Sequence, residues 1–310
     1  MRNCLRTYSL GICICLFCIS SLRAQINPET AFYWENPYSV NPASVNLDYS
    51  AFFSLAARKQ WASFPGSPVT FGATGAFYLE DYRTQVGMKV LKDKIGYLNT
   101  FDVSLSYAYT LRLSWNSFLN MGVAGSWQSQ DIDRKEVELE NPDDPVLGSE
   151  RMRGLKEWNA NIGAEYVFDK KLVVGMASQN LFSFFKREPH IWGGTNYAYV
   201  RYRTRSVERS IDMEYGLCAK QYEEDFQVDG MVSLYLNRDR RGEMMQFSIY
   251  GRSVGEVGFL VGMKLISELK FLCAYDYNFK AVSGETSGSF EVMITYPIHR
   301  NSMCRSEWDR

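Results

Sequence analysis

The sequence predicts an all-β chain: a transmembrane antiparallel β-barrel of about 14 strands behind an irregular N-terminal segment. Three features predict it. Apolar residues recur at every second position in segment after segment, the signature of strands with one greasy face. A leader of export type precedes them. Connections alternate between short and long, the habit of barrels with tight turns on one side of a membrane and loops on the other.

Residues 1–24 read as a signal peptide. Arg2 and Arg6 give a positive start, Leu10 to Ile19 an apolar run too short to span a bilayer, and Ala24 a cleavage point before Gln25. Residues 25–48 hold Pro28, Pro37 and Pro42, which forbid a long regular element. Asn36-Pro37 and Asn41-Pro42 each form a turn. This segment reads as a plug in a barrel lumen, as a contact for a periplasmic partner, or as a tied-down terminus.

Residues 49–298 carry the two-residue repeat. VTFGATGAFYL (69–79) sets Val69, Phe71, Ala73, Phe77 and Leu79 against Thr70, Gly72, Thr74 and Tyr78. Similar runs span 51–58, 85–90, 101–110, 119–127, 160–168, 211–218, 227–234, 245–250, 257–265, 270–279 and 289–296, with weaker ones at 171–179 and 197–205. Connections at 80–84, 111–116, 169–171, 237–243 and 266–269 are short. Those at 58–68, 128–155, 180–196 and 279–288 are longer. Residues 299–310 form a tail.

A secreted β-sandwich alternates in the same way. The leader, the alternating connections and the aromatic residues near strand ends (Trp115, Trp127, Tyr166, Phe168, Tyr277, Tyr296) favour the outer membrane, with outer-membrane lipid as the first partner. Asp102, Glu165, Asp212, Glu214, Asp229, Lys270, Asp276 and Glu291 fall on the faces opposite the apolar stripes and so line the interior. They suit either a pore or an interior filled with paired ions, since buried charges require partners.

Loss of the leader removes Arg2, Arg6 and Arg23 from 34 basic residues while all 35 acidic ones stay, so the mature net charge is −4. Nothing in that balance points to nucleic acid. Cys218, Cys273 and Cys304 remain, with no disulfide or zinc spacing. The acidic stretch at 128–155, with Asp131, Asp133, Glu136, Glu138 and Glu140, matches no calcium loop. His190 and His299 lack the companions of a nucleophile system. No metal, cofactor or catalytic residue is expected, and the chain reads as a non-enzyme. Trp61 with Phe64-Pro65-Gly66-Ser67-Pro68 reads as a rigid turn or as a partner-binding loop.

Several motifs occur in a specific order. NPYSVNPASVN (36–46) is followed by RKQWASFPGSPVTFGATG (58–75), KDKIGYLNT (92–100), SYAYTL (106–111), Phe226-Gln227-Val228-Asp229 and GSFEVMITY (288–296). Together they resemble the PorP/SprF family of type IX secretion proteins of Bacteroidetes. Phe290 stands where that family commonly has His, and 128–205 departs most from it. The resemblance implies an outer-membrane component of type IX secretion, in a family tied to protein secretion and gliding motility. It would dock or anchor a secreted adhesin-like surface protein through that protein's C-terminal domain, or link to other secretion subunits. A small-solute pore or transporter is the alternative. The candidate partner-binding or structural residues are Asn36, Pro37, Asn41, Pro42, Arg58, Gln60, Trp61, Phe64, Pro65, Gly66 and Pro68.

Overall fold

The computed structural model describes residues 27–132, 154–185, 190–204, 210–222, 225–237, 243–266, 268–279 and 288–299. The leader, most of the acidic stretch and the tail beyond His299 lie outside them. Fourteen strands follow one another: β1 (Tyr49–Lys59), β2 (Val69–Leu79), β3 (Thr84–Ile95), β4 (Leu98–Ser114), β5 (Ser117–Ile132), β6 (Leu155–Phe168), β7 (Leu172–Gln179), β8 (Thr195–Arg203), β9 (Ile211–Tyr222), β10 (Asp225–Asn237), β11 (Glu243–Arg252), β12 (Glu256–Ile266), β13 (Leu269–Asn278) and β14 (Ser289–His299).

Each strand pairs antiparallel with its sequence neighbours, and β14 pairs with β1 from Tyr49↔His299 to Lys59↔Phe290, closing the barrel. Closure matters because lipid offers nothing to bond a bare strand edge. His299, expected past the last strand, is its final residue, because its pairing with Tyr49 extends the seam.

The predicted faces are present. Leu55, Leu105 and Met176 stand more than 60% exposed on the outer face. Asp102, Glu165, Asp229, Asp276 and Glu291 are buried on the inner one. A chain with its greasy side out and its charges within is built for hydrocarbon.

β1 starts and β14 ends at the same end of the barrel. The connections there are 80–83, 115–116, 169–171, 204–210, 238–242 and 267–268, all short. One is a tight hairpin in which Asp169 and Lys170 both take φ +50° and the Lys171 N–H donates to the Phe168 carbonyl at 3.0 Å. Such paired left-handed residues match the twist of the flanking strands. All four expected long connections fall at the opposite end, together with the short ones at 96–97, 223–224 and 253–255. Long loops mark that end as the extracellular one.

The wall is uneven. β4 and β5 have 17 and 16 residues, β7 and β8 only 8 and 9. β6 pairs with β5 as far as Gln130↔Leu155, but with β7 only from Ile162↔Ser178 inward. Among the described residues, Leu155–Asn161 therefore pair with a strand on one side alone.

Candidate functional site

The interior is occupied by the chain's own N-terminal segment. At the outer end, the Asn27 amide donates to Gly193 O at 2.9 Å and to Thr195 Oγ1 at 2.6 Å. At the inner end, Asp48 pairs with Lys170 at 2.6 Å. The stretch between them crosses the lumen lengthwise, with two short 3-10 turns at Phe32–Trp34 and Pro37–Ser39. Prolines rule out strand or helix here, so its backbone groups must find partners on the wall. The Lys89 ammonium donates to Ser39 O at 3.2 Å, Gln179 to Val40 O at 2.8 Å, and Gln85 to Ser44 O at 3.1 Å.

A buried charge cluster fills the outer half. The Arg252 guanidinium meets Glu29 at 3.0 Å and Glu256 at 2.7 Å, with Asp229 at 3.8 Å. Arg58 meets Asp276 at 2.5 Å and Glu291 at 3.0 Å. Lys220 pairs with Asp229 at 2.6 Å, and Asp229 also accepts the Tyr33 hydroxyl at 2.7 Å. Glu291 further accepts the Ala31 N–H at 2.7 Å and the Thr30 hydroxyl. Segment and wall thus share one network.

In the inner half, Lys270 joins Glu35 at 3.2 Å and Glu243 at 2.5 Å, and Arg201 donates to Trp34 O at 3.0 Å. Between the two clusters lies an apolar layer, where Phe32, Trp34 and Val40 pack with Met231, Leu260 and Leu272. This is a protein core held inside a barrel.

The two Asn-Pro pairs sit within this core. Asn36 donates to Ser54 Oγ at 2.9 Å and Thr74 Oγ1 at 2.8 Å, and Pro37 opens the second 3-10 turn. Asn41 is fully buried, donates to the Tyr199 hydroxyl at 3.0 Å, and accepts the Ala43 N–H at 2.9 Å. Pro42 lies against Gly122 of the wall. A Cβ built on Gly122 would stand 2.5 Å from Pro42 C and Ala43 N, and one on Gly216 would stand 2.6 Å from the Trp34 ring. Gly122→Val is therefore expected to push the segment off the wall and cost about 1–3 kcal/mol, read as a lower urea midpoint for the vesicle-embedded barrel.

Arg58 belongs to the buried cluster, but Gln60 to Pro68 form a loop on the outer rim. Gln60 N–H donates to Pro68 O at 2.9 Å, closing it. Trp61 takes φ +49° and donates its N–H to Ser289 Oγ at 3.2 Å. Phe64 is half exposed, Pro65 follows it, and Gly66, at φ +70°, accepts the Gly96 N–H at 3.0 Å. The candidates thus divide into a lumen group and a rim group, with Arg58 inside.

Arg252, Glu29 and Lys220 were not singled out from the sequence. Glu29 offered a signal, as a carboxylate in a short aromatic segment whose counter-charge must come from elsewhere. A second inward fold also went unseen. Asn180, at φ +55°, turns the chain off β7 into the mouth, where its N–H donates to Asn161 Oδ1 at 2.8 Å and the Phe182 N–H to Asn159 Oδ1 at 3.0 Å.

Among the described residues, Asn36 lines two spaces left in the lumen. One of about 120 Å³ borders Thr70, Thr74 and Lys89, and one of about 380 Å³ opens at the inner mouth beside Asp48 and Arg201. His190 faces Glu157 at 3.4 Å and His299 faces Glu268 at 2.8 Å, at opposite ends of the barrel. Among the described residues no group of His, Cys, Asp and Glu is placed to hold a metal.

Solved structures with a similar course are outer-membrane barrels. The Acinetobacter baumannii protein Omp33 is 8% identical, with 82% of this chain and 100% of that one covered and a TM-score of 0.48. The Pseudomonas putida toluene transporter TodX is 9% identical, with 84% and 93% covered and a TM-score of 0.46. A bacterial polysaccharide outer membrane secretin is 12% identical, with 82% and 100% covered and a TM-score of 0.46. No curated protein matches the chain. The family described as type IX secretion system membrane protein PorP/SprF matches residues 22–296. With its 14-stranded barrel, this outer-membrane chain belongs to the PorP/SprF family of type IX secretion system membrane proteins.

Proposed function

We propose that this barrel serves type IX secretion as a non-conducting docking or anchoring component that holds a secreted adhesin-like protein at the cell surface. The observation that carries the reading is the filled lumen. A segment bonded along its whole length to the wall, with an apolar layer at mid-height, leaves a surface to bind rather than a hole to pass through. Barrels of this strand number have room for either arrangement, so the content of the lumen decides between them. Contacts to other secretion subunits would come from the inner rim, where both ends of the strand ring lie. The two residual spaces favour the alternative, a small-solute pore, only if the segment moves.

Two measurements test the reading together. In planar bilayers the purified barrel is expected to stay silent. In cells lacking it, one surface protein is expected to disappear from the exterior. A steady open conductance, with every surface protein still displayed, would replace docking by transport.

A further inference from the structure

Among the described residues, the uneven wall leaves one edge of β6 without a strand partner at the outer rim. The Asp169 N–H donates to Asn116 O at 2.7 Å, which fixes the phase of the β5–β6 ladder. Val167 and every second residue before it point their backbone groups at β5, and the alternate residues point theirs at β7. Beyond Ile162 there is no β7 to meet them. Among the described residues no backbone group pairs with Lys156, Trp158 or Ala160 on that side. Only the Ala160 N–H is answered, by its neighbour Asn159 Oδ1 at 3.0 Å. Rather than continuing β7, the chain turns inward at Asn180.

Exposed aromatics flank this edge. Trp158 on the edge is 70% exposed, and on the turn after β7, which bonds to Asn159, Phe185 is 82% exposed and Phe182 and Phe184 also stand open. Trp158 lies across from Trp127, at a height suited to the membrane interface, and Lys156 rises above it.

We propose that Leu155–Asn161 is a strand-addition site, where an extended segment of the secreted protein pairs edgewise with β6. The backbone chemistry selects this occupant. A row of alternating N–H and C=O groups is matched at the right spacing by another extended chain and by no lipid or small solute. The aromatics supply pockets for alternate side chains of that chain. This inference rests on the docking reading above and names the surface that performs it.

The test uses the full barrel recovered from native membranes in mild detergent, and the secreted protein that accompanies it, counted per barrel. The double variant Lys156→Pro with Trp158→Pro removes two edge N–H groups that do not serve the β5 ladder, so the barrel is retained. It is expected to lose the partner about tenfold or more. Lys156→Ala with Trp158→Ala keeps the backbone and should lose far less. If the proline pair does not yield a heat-stable barrel, Lys156→Cys coupled after folding to a bulky maleimide gives the same block. A photoreactive maleimide at that cysteine should mark alternate residues of one extended segment of the partner. Full retention on both blocked forms overturns the edge and leaves docking standing. A second copy of the barrel as the species lost makes the edge a self-association site and overturns the proposal. A wild-type barrel that brings no secreted protein overturns docking and edge together.

Discussion

Arg252→Met is expected to lower the barrel's stability by roughly 3–5 kcal/mol, the usual cost of removing one partner from a buried ion network. The guanidinium is 1% exposed and stands among Glu29, Glu256, Asp229 and Asp276. Methionine fills much of the volume but answers none of the carboxylates. Glu29 then loses its guanidinium partner, and the outer part of the N-terminal segment is held less firmly. Lys170→Ala makes the control. That ion pair with Asp48 is short at 2.6 Å, but the lysine is 53% exposed, so solvent already screens it and the loss should stay within about 1 kcal/mol. Urea unfolding in lipid vesicles, followed by tryptophan fluorescence, compares the two. Equal midpoints for both variants would show that the cluster is hydrated and weak.

Excision of residues 29–45, with a short Gly-Ser bridge in their place, is expected to turn a silent barrel into a conducting one. The segment supplies the lumen side of the apolar mid-layer, so its removal opens the axis from end to end, with polar wall above and below that layer. The wall charges would then face water, which relieves their need for partners, while Met231, Leu260 and Leu272 would lose cover. Net stability should fall. The milder Trp34→Ala, which removes one buried aromatic ring, is expected to cost about 3–5 kcal/mol without opening a path. Single-channel recording distinguishes the outcomes. Continued silence of a correctly folded excision variant would place the block in the inward turn at Asn180.

Most of the wall was legible because lipid-facing strands obey a period of two. Phe101, Val103, Leu105 and Tyr107 announce β4 without help from any neighbour. The interior was legible only in outline. Asp229, Asp276 and Glu291 are assigned inward by phase, but the identity of their partners depends on barrel register and on a segment whose bonds to them span 196 to 261 residues of sequence. Arg252 sits at the last position of β11, where phase is weakest. β7 and β8 were faint because they are short and carry Gly175, Ser178 and Asn196 among their apolar positions. That faintness marked the low stretch of wall. The Phe-Pro-Gly loop shows its turn formers in the sequence, but its bond to Gly96 joins two motifs that sequence distance kept apart.

Fourteen strands bring a chain back to the side from which it set out, and so both flanks of the strand ring lie toward the periplasm. The arm ahead of β1 undoes that parity. By running from beside β8 at the extracellular rim down to Asp48, it makes a fifteenth passage of the membrane, screened from lipid by the protein itself. A label carried on Asn27 would therefore be offered to the medium, and one carried on His299 to the opposite compartment.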